Sequence, residues 1–283
     1  MLTMKYKNER GEVTLSGGGS SVFRVTAAEG LGLCEKECQT VIYAGYDGQE
    51  TVSSRYAARC VTVAGDISSS AAAEELRRAA DVLCGEGYLY VLDGDMRRRI
   101  YCKSTVFPDV GLILRGRLAS FAVQFMCDSP FFEDADDTVA AVYARSKNIA
   151  DPFTLPCMFG ETTTGADVTV QTRRGVEPRV RIYCAKTLEN AETLKIENET
   201  TGKSLTFSHT PTAGETIVID VKERTAESSV SGSIINSLTD DSYLNEFRLE
   251  YGTNRITAEI GGVSLGLTVE CVYNNCYEEA MII

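Results

Sequence analysis

The segment from Leu118 to Phe132, LASFAVQFMCDSPFF, constrains the fold of this chain most strongly. From Ala119 to Cys127 its apolar residues recur at every second position and mostly polar residues fill the gaps. This is the pattern of a β-strand with one face against a core. The pattern stops at residues 128–130, Asp-Ser-Pro, where proline removes a backbone donor and favours a turn. The acidic run EDADD follows, so the sequence predicts that a sheet is completed here and a connector begins.

A chain of 283 residues is long enough for two domains that each bury a core. We therefore predict an N-terminal domain over residues 1–133, an acidic connector over 134–152 and a C-terminal domain over 153–283. The N-terminal domain is predicted to be rich in sheet and to carry one packed helix. That helix has an apolar stripe at Ala72, Leu76, Ala79 and Leu83, with Ser70 as its N-cap and Gly85 after its end.

Two apolar runs, at residues 88–92 and 100–103, flank Asp93-Gly94-Asp95, which predicts a β-hairpin. Beyond the connector about eight short alternating segments predict strands, including Ile234–Ile235, Phe247–Leu249 and a long final strand from Val263 to Tyr273. Short strands at this spacing are typical of a two-sheet sandwich of jelly-roll type. The predicted fold class is therefore mainly β.

Composition excludes several partners. A net charge of −12 argues against nucleic acid, whose phosphates require clustered Lys and Arg. No apolar run reaches the length that spans a bilayer, and the first residues lack the apolar core of a signal peptide. We expect synthesis in the cytoplasm, no membrane contact, and ten cysteines that act as small buried hydrophobic residues rather than as bridges or zinc ligands.

The sequence offers little catalytic chemistry. His209 is the only histidine, has no accompanying nucleophile motif, and is interpreted as a surface-loop residue. The acidic connector lacks the spacing of an EF-hand, so a solvated linker is favoured over a calcium site. We predict no enzyme activity, metal or cofactor. A lectin-like sandwich that contacts a cell-surface glycan and a hydrolase that uses two of the carboxylates stay open as alternatives.

The order of these parts resembles the distal tail proteins of long-tailed bacteriophages, the siphovirus-type tail component family. The segments that carry the resemblance in the first half are Gly45–Gly48, Ser54–Arg59, the helix with Leu76–Arg78, the Tyr88–Tyr90 hairpin and Phe125–Phe132. In the second half they are Ile196–Gly202, Glu215–Asp220 and Tyr251–Ile256.

The resemblance implies a ring, commonly a hexamer, at the tip of the tail tube. The first domain would build the ring, and a galectin-like second domain would project towards receptor-binding, tail-associated or baseplate components. A ring requires two different surfaces of one subunit to meet. Hairpins can extend a neighbouring sheet, and tyrosine and arginine are enriched at interfaces. The predicted subunit-interface residues are Tyr88, Tyr90, Arg97, Arg98, Arg99 and Tyr101.

Overall fold

The computed structural model of the chain describes residues 2–17, 22–45, 47–69, 72–106, 111–113, 118–145, 162–163, 165–185, 193–260 and 267–280. The chain divides into two compact units. The first consists of residues 1–136 together with 276–283, and the second of residues 137–275. Strands of antiparallel sheets dominate both units, so the mainly-β fold class is confirmed.

The elements of the first part of the chain are β1 (Thr3–Asn8), β2 (Gly11–Ser16), β3 (Phe23–Glu29), β4 (Lys36–Val41), β5 (Glu50–Tyr56), β6 (Arg59–Ser68), α1 (Ala72–Leu83), β7 (Glu86–Asp93), β8 (Met96–Val106), β9 (Gly111–Ile113), β10 (Leu118–Cys127) and β11 (Phe132–Asp134). The elements that follow are β12 (Thr138–Arg145), β13 (Thr162–Thr163), β14 (Gly165–Val170), β15 (Arg179–Cys184), β16 (Leu194–Asn198), β17 (Lys203–Phe207), β18 (Thr216–Asp220), β19 (Thr225–Ser228), β20 (Gly232–Ser233), β21 (Gly252–Ile260), β22 (Leu267–Tyr273) and β23 (Cys276–Tyr277).

The main sheet of the first unit runs in the order β2-β1-β7-β8-β10-β6-β3. The predicted strand of the Leu118–Phe132 segment is confirmed as β10, which pairs with β6 over its whole length. Phe121, Val123 and Phe125 are buried because every second side chain of β10 faces the core. The predicted hairpin is confirmed as β7 and β8, whose partners run from Glu86 opposite Lys103 to Asp93 opposite Met96.

The single α-helix in the described part of the chain packs on this core through Ala79, Val82 and Leu83. Strand β1 holds the end of the helix. The amide of Asn8 donates to the Val82 carbonyl at 2.6 Å, and the buried Tyr6 hydroxyl donates to the Gly85 carbonyl at 2.5 Å. The last carbonyls of a helix have no partner within it, so side chains from a neighbouring strand satisfy them here. The predicted N-cap, Ser70, lies outside the described residues.

The C-terminal end of the chain returns to the first unit, which the sequence does not suggest. β23 pairs with β11, and the amide of Ala280 donates to the Leu31 carbonyl at 2.8 Å. The Tyr277 hydroxyl donates to the Asp134 carboxylate at 2.9 Å. Burial and that neighbouring carboxylate raise the pKa of Tyr277 to about 12.

Arg59 ties this C-terminal segment to the rest of the first unit. Its side chain is buried, its guanidinium lies 5.0 Å from the centre of the Phe132 ring, and one of its nitrogens is 2.8 Å from the sulfur of Cys34. The same group donates to carbonyls of three separate segments, those of Gly30, Gly32, Pro130 and Glu278. A buried cation is tolerated only when its donors are satisfied, and these carbonyls satisfy them.

The second unit is a sandwich of two antiparallel sheets. The larger sheet has the order β13-β12-β22-β15-β18-β19-β20, and the smaller has the order β14-β21-β16-β17. Both sheets contribute apolar residues to one core, among them Val180, Ile182, Ile217, Ile196, Phe207 and Ile256. The two sheets therefore bury their inner faces against each other, as the alternating pattern predicts.

Two of the segments on which the family resemblance depends meet within the smaller sheet. The buried amide of Asn198 donates to the side-chain oxygen of Asn254 at 3.1 Å and to the Arg248 carbonyl at 2.9 Å. Asn254 in turn donates to the Glu250 carbonyl at 2.7 Å. Residues 196–202 and 251–256 therefore share a buried hydrogen-bond network that fixes the β16–β21 pairing.

Several predicted strands of the second unit are wrong. Ile235–Ser237 is a 3-10 helix, and residues 247–249 contribute a single bridge, between Leu249 and Val176, after another 3-10 helix at Leu244–Glu246. Of the predicted long strand from Val263 to Tyr273, the described part forms β22, Leu267–Tyr273, and residues 263–266 lie outside the described residues. Part of the predicted acidic connector forms β12, which pairs with β22.

Candidate functional site

Five of the six predicted interface residues lie on one face of the β7–β8 hairpin. Because side chains alternate along a strand, Tyr88 and Tyr90 of β7 face the same way as their cross-strand partners Tyr101 and Arg99. The Tyr88 and Tyr101 rings meet edge to face with centres 5.2 Å apart, and the Arg99 guanidinium lies 4.9 Å from the Tyr88 ring. We call these four residues the tyrosine face.

The three arginines differ in their environments. The side chain of Arg97 is 58% exposed and forms an ion pair with Asp136 at 2.8 Å. That of Arg99 is 17% exposed and donates to the Ala135 carbonyl at 3.1 Å. The three arginines therefore do not form a single solvated basic cluster.

Arg98 lies on the opposite face of the hairpin from the tyrosines. Its side chain is 12% exposed and its guanidinium stacks 3.8 Å from the centre of the Tyr277 ring. It also donates to the Glu279 carbonyl. Within the first unit Arg98 thus anchors the C-terminal segment, and the structure does not bring it together with the other predicted interface residues.

A groove of about 670 Å³ opens beside the tyrosine face. The three tyrosines line it together with four charged residues, Lys7, Arg10, Glu9 and Glu86. The strands β1 and β7 approach closely at its floor, where a Cβ atom on Gly87 would lie 2.4 Å from the Lys7 carbonyl oxygen. The groove therefore combines aromatic surface with exposed charges of both signs.

A second feature, which the sequence reasoning missed, is an exposed hairpin formed by β4 and β5. The two strands pair only with each other, and nearly every side chain from Lys36 to Tyr56 is exposed. Its aliphatic and aromatic side chains include Ile42 at 73%, Val52 at 64% and Tyr43 at 54% exposure. We call residues 36–56 the hairpin arm.

The base of the hairpin arm is firmly held. The Tyr56 hydroxyl donates to the Glu278 carboxylate at 2.5 Å, and the Tyr56 ring meets the Phe131 ring at 5.0 Å. The Ala57 amide donates to the Glu35 carbonyl at 3.0 Å. The arm is therefore fixed at its base, and the described side chains of β4 and β5 before Tyr56 are exposed on both faces of the two strands. The run Val-Ile-Tyr beside a glycine turn, without alternation, is the sequence signal that could have indicated it.

A second buried polar cluster of this unit, besides that of Asn198 and Asn254, surrounds Glu215. His209 lies 2.7 Å from its carboxylate, and the Ser228 hydroxyl and the Thr212 amide donate to it at 2.5 and 2.7 Å. Burial opposes ionisation of this carboxyl, but the hydrogen bonds from Ser228, Thr212 and His209 outweigh burial and lower its pKa to about 2. The interpretation of His209 as a surface residue is wrong, because its side chain is only 15% exposed.

The predicted burial of the cysteines is confirmed for Cys102, Cys127, Cys184 and Cys271 and is wrong for Cys38 and Cys84, which are exposed. The nine cysteines in the described part of the chain are free thiols, and burial raises the pKa of Cys184 to about 11 and that of Cys271 to about 12. The carboxylates of the predicted connector have partners, since Asp136 pairs with Arg97 and Asp137 accepts from Asn274. Among the described residues, no group of three His, Cys, Asp or Glu side chains is placed to hold a metal ion. The described helices lack the length and apolar content that crossing a membrane requires.

Comparison with known proteins connects this architecture to phage tails. Residues 163–277 match the model of the siphovirus-type tail component, C-terminal domain. The structure of the SPP1 Dit protein, described as a paradigm of the hub adsorption apparatus in phages that infect Gram-positive bacteria, matches with a TM-score of 0.66 and 14% identity. That match covers 98% of this chain and 99% of SPP1 Dit.

Chains of the phage P2 baseplate in its activated conformation also match. With calcium the TM-score is 0.59 at 10% identity, over 97% of this chain and 98% of the other. With strontium the TM-score is 0.57 at 10% identity, over 96% and 98%. No curated protein matches the sequence. Residues 163–277 are thus similar to the C-terminal domain of the siphovirus-type tail component family, and over nearly its whole length the chain has a fold like that of the SPP1 Dit protein.

Proposed function

We propose that this protein is a structural component of a phage tail tip, and that its copies form a ring that joins the tail tube to baseplate and receptor-binding components. The observation that carries the proposal is the likeness of fold to SPP1 Dit over 98% of the chain, together with the family match of residues 163–277. In this proposal the protein resides in the virion tail and acts through assembly rather than through catalysis.

In this proposal the two parts of the chain have different roles. The first unit, residues 1–136 with 276–283, builds the ring, which we propose to be a hexamer, and the second unit, residues 137–275, forms a galectin-like sandwich that projects outward from it. The tail tube protein, tail-associated or tape-measure proteins and receptor-binding proteins are the proposed partners.

The tyrosine face supports a role of the first unit in assembly. It places three tyrosine rings and one arginine on a single surface, with Tyr101 48% exposed. Tyrosine and arginine contribute most to binding when their apolar surface is removed from water. A ring subunit must offer two different surfaces that meet across each interface, and the tyrosine face is our candidate for one of them.

Native mass spectrometry of the purified full chain tests the proposal. A closed ring predicts one dominant species of six chain masses that persists on dilution. The double variant Tyr88→Ala, Tyr101→Ala should shift this species towards single chains, because the interface loses two aromatic contacts. Tyr251→Ala removes a tyrosine that is 66% exposed in the second unit and should leave the assembly intact. A wild-type protein that is a single chain at every concentration would contradict the proposal.

A further inference from the structure

Two buried cysteines face each other where β8 and β10 pair. The register of these antiparallel strands sets Met126 opposite Lys103, so the next position sets Cys127 opposite Cys102. Cys102 is 2% exposed and Cys127 is fully buried. The two thiols are hydrogen-bonded to each other. Their side chains therefore already point towards each other within the core of the first unit.

This placement meets the geometric requirement for a disulfide. Residues directly opposite each other in an antiparallel pair have Cα atoms about 4.5 or 5.5 Å apart, depending on whether they exchange hydrogen bonds. Disulfides join residues whose Cα atoms lie about 4.4–6.8 Å apart, so either kind of position falls within the range. A bond between Cys102 and Cys127 would therefore need little movement of the two strands.

The other cysteines of the described strands lack such a partner. They face residues of other types on the paired strands: Cys38 faces Ser54, Cys60 faces Met126, Cys184 faces Leu267, Cys271 faces Val180 and Cys276 faces Glu133. The register therefore favours one linkage among these cysteines, the one between Cys102 and Cys127.

A cross-link at this position would join the two halves of the main sheet. β10 pairs with β6 at ten positions and β7 pairs with β8 at eight. In the described residues β8 and β10 pair at only three positions, with an irregularity of register after Gln124. In the order β2-β1-β7-β8-β10-β6-β3 this short pairing connects the β7–β8 hairpin to β10 and the strands beyond it. A covalent bond there would strengthen the shortest pairing of the three.

We propose that Cys102 and Cys127 form a disulfide when the chain meets an oxidising environment. With glutathione disulfide as the oxidant, one cysteine thiolate attacks a glutathione sulfur and releases one glutathione. The other cysteine then attacks the mixed disulfide and releases the second glutathione, so two protein thiols are oxidised while one glutathione disulfide is reduced. The bond depends only on the sheet of the first unit, and its retention in a virion outside the reducing cytoplasm rests on the proposed function.

Burial determines when the bond can form. The hydrogen bond with Cys127 and burial raise the pKa of Cys102, so the closed sheet contains little thiolate at neutral pH. Because the thiolate is the attacking species, the exchange takes place during folding or when the pairing of β8 with β10 opens transiently. The test therefore begins from the unfolded and reduced chain.

Peptide mapping of the full chain, refolded in a buffer of glutathione and glutathione disulfide, tests the proposal. Remaining thiols are blocked with N-ethylmaleimide before digestion with trypsin. Trypsin releases Cys102 in residues 100–103 and Cys127 in residues 118–145, each as the single cysteine of its peptide. We expect these two peptides to be joined in most chains. Two separate blocked peptides, or linkage mainly to other cysteines, would overturn the proposal.

Two variants provide the matched comparison. Cys102→Ala should abolish linkage of the peptide that contains Cys127, because its partner is gone. Cys271→Ala also removes a buried thiol, but one in the second unit, and should leave the linkage between Cys102 and Cys127 unchanged. A Cys127 peptide that is linked to the same extent in Cys102→Ala would contradict the assignment of the pair.

A second measurement uses the wild-type chain alone, so it does not depend on whether a variant folds. A bond that closes a loop of about 25 residues should raise the midpoint of thermal unfolding of the first unit by about 10 °C over the reduced chain. An equal or lower midpoint in chains that carry the bond would show that the native sheet does not accommodate it. Chains that form the bond but never assemble would refute the proposed function and leave this inference intact.

Discussion

Removal of the Arg59 guanidinium should destabilise the first unit more than any exposed substitution. Arg59 is 6% exposed, and its side chain is the common donor to the loop at residues 30–32, the turn at Pro130 and the C-terminal segment at Glu278. In Arg59→Ala, four carbonyls lose a charged donor at once. The Cys34 thiol lies 3.2 Å from the Pro130 and Glu278 carbonyl oxygens, but a thiol is a weak donor with a single hydrogen and replaces the guanidinium only in part.

The magnitude follows from the number of lost donors. A hydrogen bond to a charged group contributes roughly 1.5–3 kcal/mol, so the loss of four such bonds, partly replaced by water and by the Cys34 thiol, should cost about 4 kcal/mol. Domains are stable by roughly 5–15 kcal/mol, so the loss is a large fraction of the total. Arg59→Lys keeps the charge but offers fewer donors in a different geometry, and should lose about 2 kcal/mol.

Hydrogen exchange followed by mass spectrometry measures this effect separately in each unit. Peptides from β6 and β10 should lose protection in Arg59→Ala, while peptides from β15 and β22 of the second unit should keep it. The control is Arg55→Ala, since Arg55 is 79% exposed and its ion pair with Glu37 is expected to contribute less than about 1 kcal/mol. Unchanged protection of β6 and β10 in Arg59→Ala would refute the reasoning.

Three further predictions concern single positions or segments. The lowered pKa of Glu215 means that its ionised form stabilises the second unit above its unfolded pKa of about 4.5, and that this stability is lost as pH falls towards about 2. Glu215→Gln should therefore remove roughly 3 kcal/mol of the fall in the free energy of unfolding of the second unit across this pH range. The same pH dependence of stability in the wild type and the variant would contradict the prediction. Gly87→Ala should cost about 1–3 kcal/mol in chemical denaturation because its Cβ meets the Lys7 carbonyl, whereas Gly32→Ala, where a Cβ meets nothing within 4 Å, should cost little. Truncation after Asn275 removes no strand of the sandwich, but it should increase the rate at which proteases cleave the first unit. Equal cleavage rates for the truncated and the full-length chain would disprove this.

The strands that the sequence predicts correctly are those with one buried face. β10, the β7–β8 hairpin and β22 alternate apolar with polar residues, because only every second side chain of a half-buried strand faces the core. Ile234–Ile235 looks similar over two residues, yet it leads into a 3-10 helix. A short apolar pair does not distinguish a strand from a helical turn that points one side chain into the core.

Contacts between residues distant in sequence could not be predicted. The return of residues 276–280 to the first unit depends on Arg98 and Arg59. In the sequence these two arginines look like ordinary strand residues. The Glu215 cluster depends on His209 and Ser228, which lie on different segments. A sequence shows which side chains can donate or accept, but the pairing is decided by the register of the sheets.

The interface residues illustrate the same limit. Alternation along β7 and β8 places Tyr88, Tyr90, Tyr101 and Arg99 on one surface, and this much follows from strand periodicity. The opposite placement of Arg98 also follows from periodicity, but its stacking on Tyr277 does not. The hairpin arm has no buried face and therefore no alternation by which a strand could be identified.

Electron micrographs of the purified full chain test the central claim most directly. Class averages should show closed rings around an open central channel, with sixfold symmetry in face views. The same preparation should keep these rings on dilution. Compact particles of one subunit at every concentration, or open filaments in place of rings, would contradict the account of this chain as a ring-forming tail-tip component.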